Sequence, residues 1–155
     1  MFWKVLVGNV EYENNHNTRA EHKGSTYHIA KMLSEKLEGE VTEFFLPRDF
    51  DSFCIGCTNC FERSETSCPH YEKLRPITKA MDDADVIILA SPVYVYHATG
   101  AMKSFLDHYG YRWWYTVWRK MFHKQAVCIS TAAGEEWKAQ IKICRQPVLL
   151  GDCKD

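Results

Sequence analysis

The run Asp85-Val86-Ile87-Ile88-Leu89-Ala90 carries no polar face. A short β-branched apolar run without alternation suits a strand buried on both sides, as happens in a parallel sheet covered by helices. Two further runs have this character, Phe2-Trp3-Lys4-Val5-Leu6-Val7-Gly8 and Gln125 to Ser130, and Val41 to Leu46 alternates enough to be another strand, halted by Pro47. Helical patterns lie between them. Gly24-Ser25-Thr26 opens a run in which Tyr27, Ala30, Leu33 and Leu37 share one face, with Ser or Thr as its N-cap and Gly39 as its end. A second helix is expected from Pro76 with Ile77, Ala80 and Met81 on one side, a third from Ala101 to His108, and a fourth from Glu135 to Arg145 before a last strand at Pro147 to Leu150. Strands alternating with helices imply a three-layer α/β sandwich around a central parallel sheet, joined by right-handed crossovers.

The chain has 155 residues, one domain's worth, and the whole of 1–155 is read as a single unit with a cysteine-rich loop at 54–68. A formal charge of −1 offers no footprint for nucleic acid, and no apolar run reaches the roughly 20 residues that span a bilayer. Seven cysteines is an odd number, which argues against a fully paired secreted framework and for a reducing cytoplasm. Cys128 lies in an apolar run and reads as a buried structural thiol, whereas Cys144 and Cys153 have no assignment.

Ligands of such sheets bind beyond the carboxyl ends of the strands. Three polar turns are expected there: Gly24-Ser25-Thr26, Ser91-Pro92-Val93-Tyr94 and Thr131-Ala132-Ala133-Gly134. A helix N-terminus with free N–H groups and two hydroxyls suits a phosphate, although an ordinary N-cap has the same composition. Cys54, Cys57, Cys60 and Cys68 form a compact ligand set, with Gly56 free to bend the backbone inside it. Four thiolates suit a 4Fe-4S cluster, a tetrahedral zinc ion, or a loop of free thiols. The aromatic group Tyr109, Tyr111, Trp113, Trp114, Tyr115 and Trp118 reads as core or interface packing, His97 and His108 as structural or solvent-exposed, and Asp82-Asp83 as a solvated helix end.

Lys23 to Ala30, Ala84 to Tyr94 and Met102 to Asp107 together resemble the NAD(P)H-dependent FMN reductase family, over roughly positions 3 to 145. The four-cysteine spacing resembles the iron–sulfur flavoprotein branch of the same flavodoxin-like superfamily. The resemblance implies a flavodoxin-like fold whose first turn, Gly24, Ser25 and Thr26, binds the FMN phosphate. It also implies that Ser91, Pro92, Val93 and Tyr94, with Thr131, Ala132, Ala133 and Gly134, border the isoalloxazine ring. In place of the family's Gly-Ser-Pro-Arg segment stands Gly8-Asn9-Val10-Glu11 with a longer loop, so phosphate binding leans on Ser25 and Thr26 with Lys23 or Arg19. Relatives usually continue through a fifth strand and closing helix, so the C-terminal element reads as truncated.

The implied function is an FMN-dependent oxidoreductase or electron carrier whose 4Fe-4S cluster, on Cys54, Cys57, Cys60 and Cys68, relays electrons to or from FMN. Reduced ferredoxin or NAD(P)H is the implied donor, a quinone, oxygen species or other small molecule the acceptor, and a homodimer or homotetramer the assembly. Two alternatives stand beside it: a cluster-free NAD(P)H-dependent FMN or quinone reductase, and a flavin-free binding protein of the same fold.

Overall fold

The computed structural model describes residues 3–9, 11–15, 18–111 and 125–134, with side chains over 23–111 and 125–134. The elements run β1 (Trp3–Asn9), β2 (Glu11–Asn15), β3 (Thr18–His22), α1 (Ser25–Lys36), β4 (Glu40–Leu46), α2 (Asn59–Glu62), a 3-10 turn (Glu65–Ser67), α3 (Tyr71–Asp83), β5 (Val86–Ala90), β6 (Val93–Tyr94), β7 (His97–Ala98), α4 (Gly100–Asp107) and β8 (Gln125–Ile129). The expected helix over 135–145, the strand over 147–150, Trp113, Trp114, Tyr115, Trp118, Cys144 and Cys153 lie outside the described residues.

Four strands form one parallel sheet in the order β4-β1-β5-β8. The apolar run of β5 lies near its centre and divides its side chains by the period of two expected of a strand. Ile87 and Leu89 join Leu74, Ile77 and Met81 of α3 and Met102 and Phe105 of α4. On the other face Ile88 and Ala90 meet Ala30 of α1, with Tyr27, Leu33 and Leu37 packed around them. The sheet is thus covered on both sides, which is the three-layer sandwich the sequence predicts.

Two hydroxyl contacts satisfy polar groups drawn into this core. Ser34, 1% exposed on α1, donates its hydroxyl to the Lys31 carbonyl at 2.8 Å. The Tyr109 and Thr78 hydroxyls bond at 2.9 Å and tie the end of α4 to α3. Tyr109 and Tyr111 are both buried, as core packing requires, and Cys128 is half-buried against the α3/α4 side.

Three local expectations need correcting. Helix α3 begins at Tyr71, so Pro76 falls inside it rather than in its first turn, and the buried Leu74, Ile77, Thr78 and Met81 hold the helix across the missing N–H. The N-cap of α1 is Gly24, with no side-chain capping bond, and Ser25 and Thr26 are its first two helical residues. The polar stretch after β1, expected as a loop, is an antiparallel hairpin pairing Glu11 with His22 through Asn15 with Thr18. No helix among the described residues is long and apolar enough to cross a membrane.

Candidate functional site

The chain passes from β1 outward to β4 and then crosses to β5 on the other side of β1. Connections leaving the carboxyl ends of β1 and β5 therefore diverge, and a crevice opens between them. The turn at 24–26 leads into the site from the β1 side, and the turn at 91–94 enters it from β5. Beside them the turn at 131–134 follows β8.

Hydrogen bonds join all three. Thr26 Oγ1 and Thr131 Oγ1 lie 2.5 Å apart, linking the first turn to the last. The Val93 N–H donates to the Thr131 carbonyl at 2.8 Å, the Ser91 N–H to the Ile129 carbonyl at 3.0 Å, and the Ser130 hydroxyl to the Ser91 carbonyl at 3.0 Å. The Ser91 hydroxyl also accepts from the Thr99 N–H at 3.1 Å, where Thr99 caps α4 by accepting from the Met102 N–H at 3.3 Å. Ser130 and Thr99 are support residues that sequence reading missed, because their roles depend on which strands adjoin.

With glycine at the N-cap and no acidic residue in the first turn, the positive end of α1 is not neutralised by its own side chains. The first intrahelical bond is from the His28 N–H to the Gly24 carbonyl, at 3.2 Å. Thr26 is buried and turns its hydroxyl across to Thr131 instead of back to the helix end, so the ordinary N-cap alternative does not describe this turn. The Lys23 ammonium donates to the Tyr27 hydroxyl, in the first turn of α1, at 3.3 Å and lies 4.7 Å from the Tyr27 ring centre. Ala132 is half-buried and Ala133 and Gly134 are exposed.

The turn at Val93 becomes a small hairpin, Val93 pairing with Ala98 and Tyr94 with His97. Its tip, Val95 and Tyr96, has φ of 50° and 62°. Left-handed backbone at a β-branched residue costs on the order of 1–3 kcal/mol and is concentrated at functional sites. Here it leaves Tyr94, Val95 and Tyr96 in solvent at the sheet edge, Val95 being 88% exposed.

The cysteine loop is pinned along its length. Phe50 enters the core edge-on to His108, with 4.9 Å between ring centres, and the Ser104 hydroxyl of α4 donates to the Ser52 carbonyl at 2.7 Å. Farther on, Phe61 lies beneath Gly110 and the Tyr111 hydroxyl donates to Glu65 at 2.5 Å. Gly56 has φ of +65° with open space around it, so the backbone bend rather than crowding calls for glycine there. All four loop cysteines carry free thiols, Cys54 exposed and the others half-buried. Burial pushes the Cys60 thiol up, and Cys68, Cys54 and Cys57 add to the rise against a backbone hydrogen bond that lowers it. Among the described residues no three His, Cys, Asp or Glu side chains converge as they would on a single metal ion.

Two imidazoles, His70 and His108, meet edge-on with 5.3 Å between ring centres. His108 Nδ1 lies 2.8 Å from the Ser104 carbonyl, which can only accept, so Nδ1 carries the proton. Neither Nε2 has a hydrogen-bond partner. Burial holds the His108 imidazole below its ordinary range; His70 pushes the same way, while the Ser104 bond and Asp107 favour the charged form. The unfolded chain therefore takes up a proton near pH 6.5 that the folded chain refuses until lower pH. Stability is expected to be full above about pH 6.5 and to fall as the pH drops below it. Thermal melts from pH 7.5 to 5.5 check this, with His108→Asn expected to flatten that slope. His97, by contrast, is exposed.

A doubly wound sheet with three tethered turns at its switch point is the architecture of a mononucleotide-binding flavodoxin-like protein. The chain belongs to the NADPH-dependent FMN reductase family, whose model matches residues 17–144. An iron-sulfur flavoprotein of Archaeoglobus fulgidus is 34% identical over 92 residues, covering 54% of this chain and 41% of that protein. One from Methanocaldococcus jannaschii is 41% identical over 71 residues, covering 45% and 36%. The matches thus span about two fifths of these relatives' length. Among solved structures, the flavoenzyme NAD(P)H:(acceptor) oxidoreductase FerB of Paracoccus denitrificans superposes with a TM-score of 0.59 at 16% identity, covering 96% of this chain and 72% of its own. The Trp repressor binding protein of Bacillus subtilis gives 0.57 at 17% identity, covering 92% and 74%. These likenesses agree on the fold.

Proposed function

We propose that this chain binds FMN at the three joined turns and a 4Fe-4S cluster on Cys54, Cys57, Cys60 and Cys68, and passes electrons between the two. The observation that carries the flavin half is the Thr26–Thr131 bond, which draws the helix N-terminus and the loop after β8 to one place. Membership of the FMN reductase family supports it. FMN when bound supplies acceptance and release of electrons singly or as hydride. The chain's own residues bind and orient it: the N–H groups of the first turn of α1 with Ser25 and Thr26 for the phosphate, and the 91–94 and 131–134 turns for the ring.

The donor chemistry of the cysteine loop fits a cluster. Four cysteine thiols in one short loop, Cys54, Cys57, Cys60 and Cys68, supply the four thiolates that a cubane takes. The similarity to iron-sulfur flavoproteins of Archaeoglobus and Methanocaldococcus is in keeping with it.

NAD(P)H or a reduced ferredoxin is the proposed donor, and a quinone or other small molecule the proposed acceptor. Exposed Phe53, Ile55, Tyr94 and Tyr96 suit burial against a second copy of the chain, so a homodimer or homotetramer is part of the proposal. Titrating the protein with FMN is expected to quench flavin fluorescence to an endpoint of about one FMN per chain, one cofactor per switch-point crevice. Absence of uptake would favour the flavin-free alternative and sink this reading.

A further inference from the structure

Thr131 stands among residues expected to border the flavin ring, yet its hydroxyl bonds to the phosphate turn. Its main chain is fixed independently, by the Val93 N–H on its carbonyl and by the neighbouring Ser130 hydroxyl on the Ser91 carbonyl. The hydroxyl is thus presented to Thr26 from a braced platform. Thr26 is 5% exposed, so bulk water is not available to orient its own hydroxyl.

Two hydroxyls share two protons, and their mutual bond uses one of them. If Thr131 donates to Thr26, the Thr26 proton is left to donate onward. A phosphate dianion only accepts, so it selects that arrangement. Resting on the FMN reading above, we propose that Thr131 is a positioning residue for the phosphate: its hydroxyl donates to Thr26 Oγ1 and aims the Thr26 proton at a phosphate oxygen. The phosphate site is thereby braced through Thr131 to Val93, at the base of the tyrosine hairpin.

Riboflavin, which has the ring and no phosphate, separates this role from a ring contact. Thr131→Val keeps the branched shape and removes the hydroxyl. It is expected to weaken FMN about tenfold while changing riboflavin less than about twofold, since one charge-assisted hydrogen bond is at stake. Thr131→Ala should give the same selective loss, and Thr131→Ser should restore FMN binding. In a Thr26→Val background, Thr131→Val should cost nothing further, because its effect runs through Thr26. Equal weakening of both flavins, or a full effect of Thr131→Val without the Thr26 hydroxyl, overturns the proposal. Wild-type protein that binds neither flavin overturns the FMN reading and this proposal with it, whereas wild type that binds both equally overturns the phosphate role alone.

Discussion

Alanine at Cys60 is expected to empty the cysteine loop of iron, from about four atoms per chain to fewer than one, while FMN content is retained. Cys60 is half-buried and feels all three of the other loop thiols. Removing it takes away one corner of the ligand set without disturbing what pins the loop, namely Ser104 on the Ser52 carbonyl and Tyr111 on Glu65. Cys128→Ser is the control. That thiol packs against the α3/α4 side of the sheet and should leave iron unchanged. Iron and sulfide analysis of the two variants, purified anaerobically, checks the contrast. Equal iron in Cys60→Ala and wild type would remove Cys60 from the ligand set.

Phe105→Ala is expected to be the most destabilising of the core truncations that touch the site, at about 3–5 kcal/mol. The side chain is 0% exposed and packs on Phe50 and Tyr109, with ring centres 6.2 and 4.9 Å away. Total stability of an ordinary domain is only about 5–15 kcal/mol, so the variant would sit near its unfolding threshold. Phe50 begins the segment that leads into the cysteines, so the loop should loosen together with the core. Urea unfolding measures the loss. Met32→Ala on α1, 61% exposed, should stay within about 0.5 kcal/mol of wild type.

The layers of this fold were legible because its central strand has no polar side: Val86 to Ala90 can be buried only between two helical layers, and Ala30, Leu33 and Leu37 supply one of them. The start of α3 was not legible, since Pro76 resembles a first-turn proline and only tertiary packing keeps it inside a helix. The β2–β3 hairpin was hidden by composition. Asn, Glu and His alternate in neither hydrophobicity nor bulk, and no glycine marks the turn. Within the candidate site, the three turns could be placed by chain order, but their joining by Thr26, Thr131, Val93 and Ser130 follows from strand adjacency, which no local pattern encodes. The left-handed tip at Val95 and Tyr96 carries no turn signal because valine and tyrosine ordinarily avoid that conformation. The four cysteines were visible from their spacing alone. Their mutual influence at Cys60, and the pairing of His70 with His108, needed the folded chain.

On this reading one chain holds both redox groups. Protein purified anaerobically and assayed for flavin, iron and acid-labile sulfide tests it in a single sample. The expected result is about one FMN with about four irons and four sulfides per chain, the content of one cubane beside one flavin. Flavin without iron or sulfide would contradict the cluster, and zinc without flavin would contradict both halves.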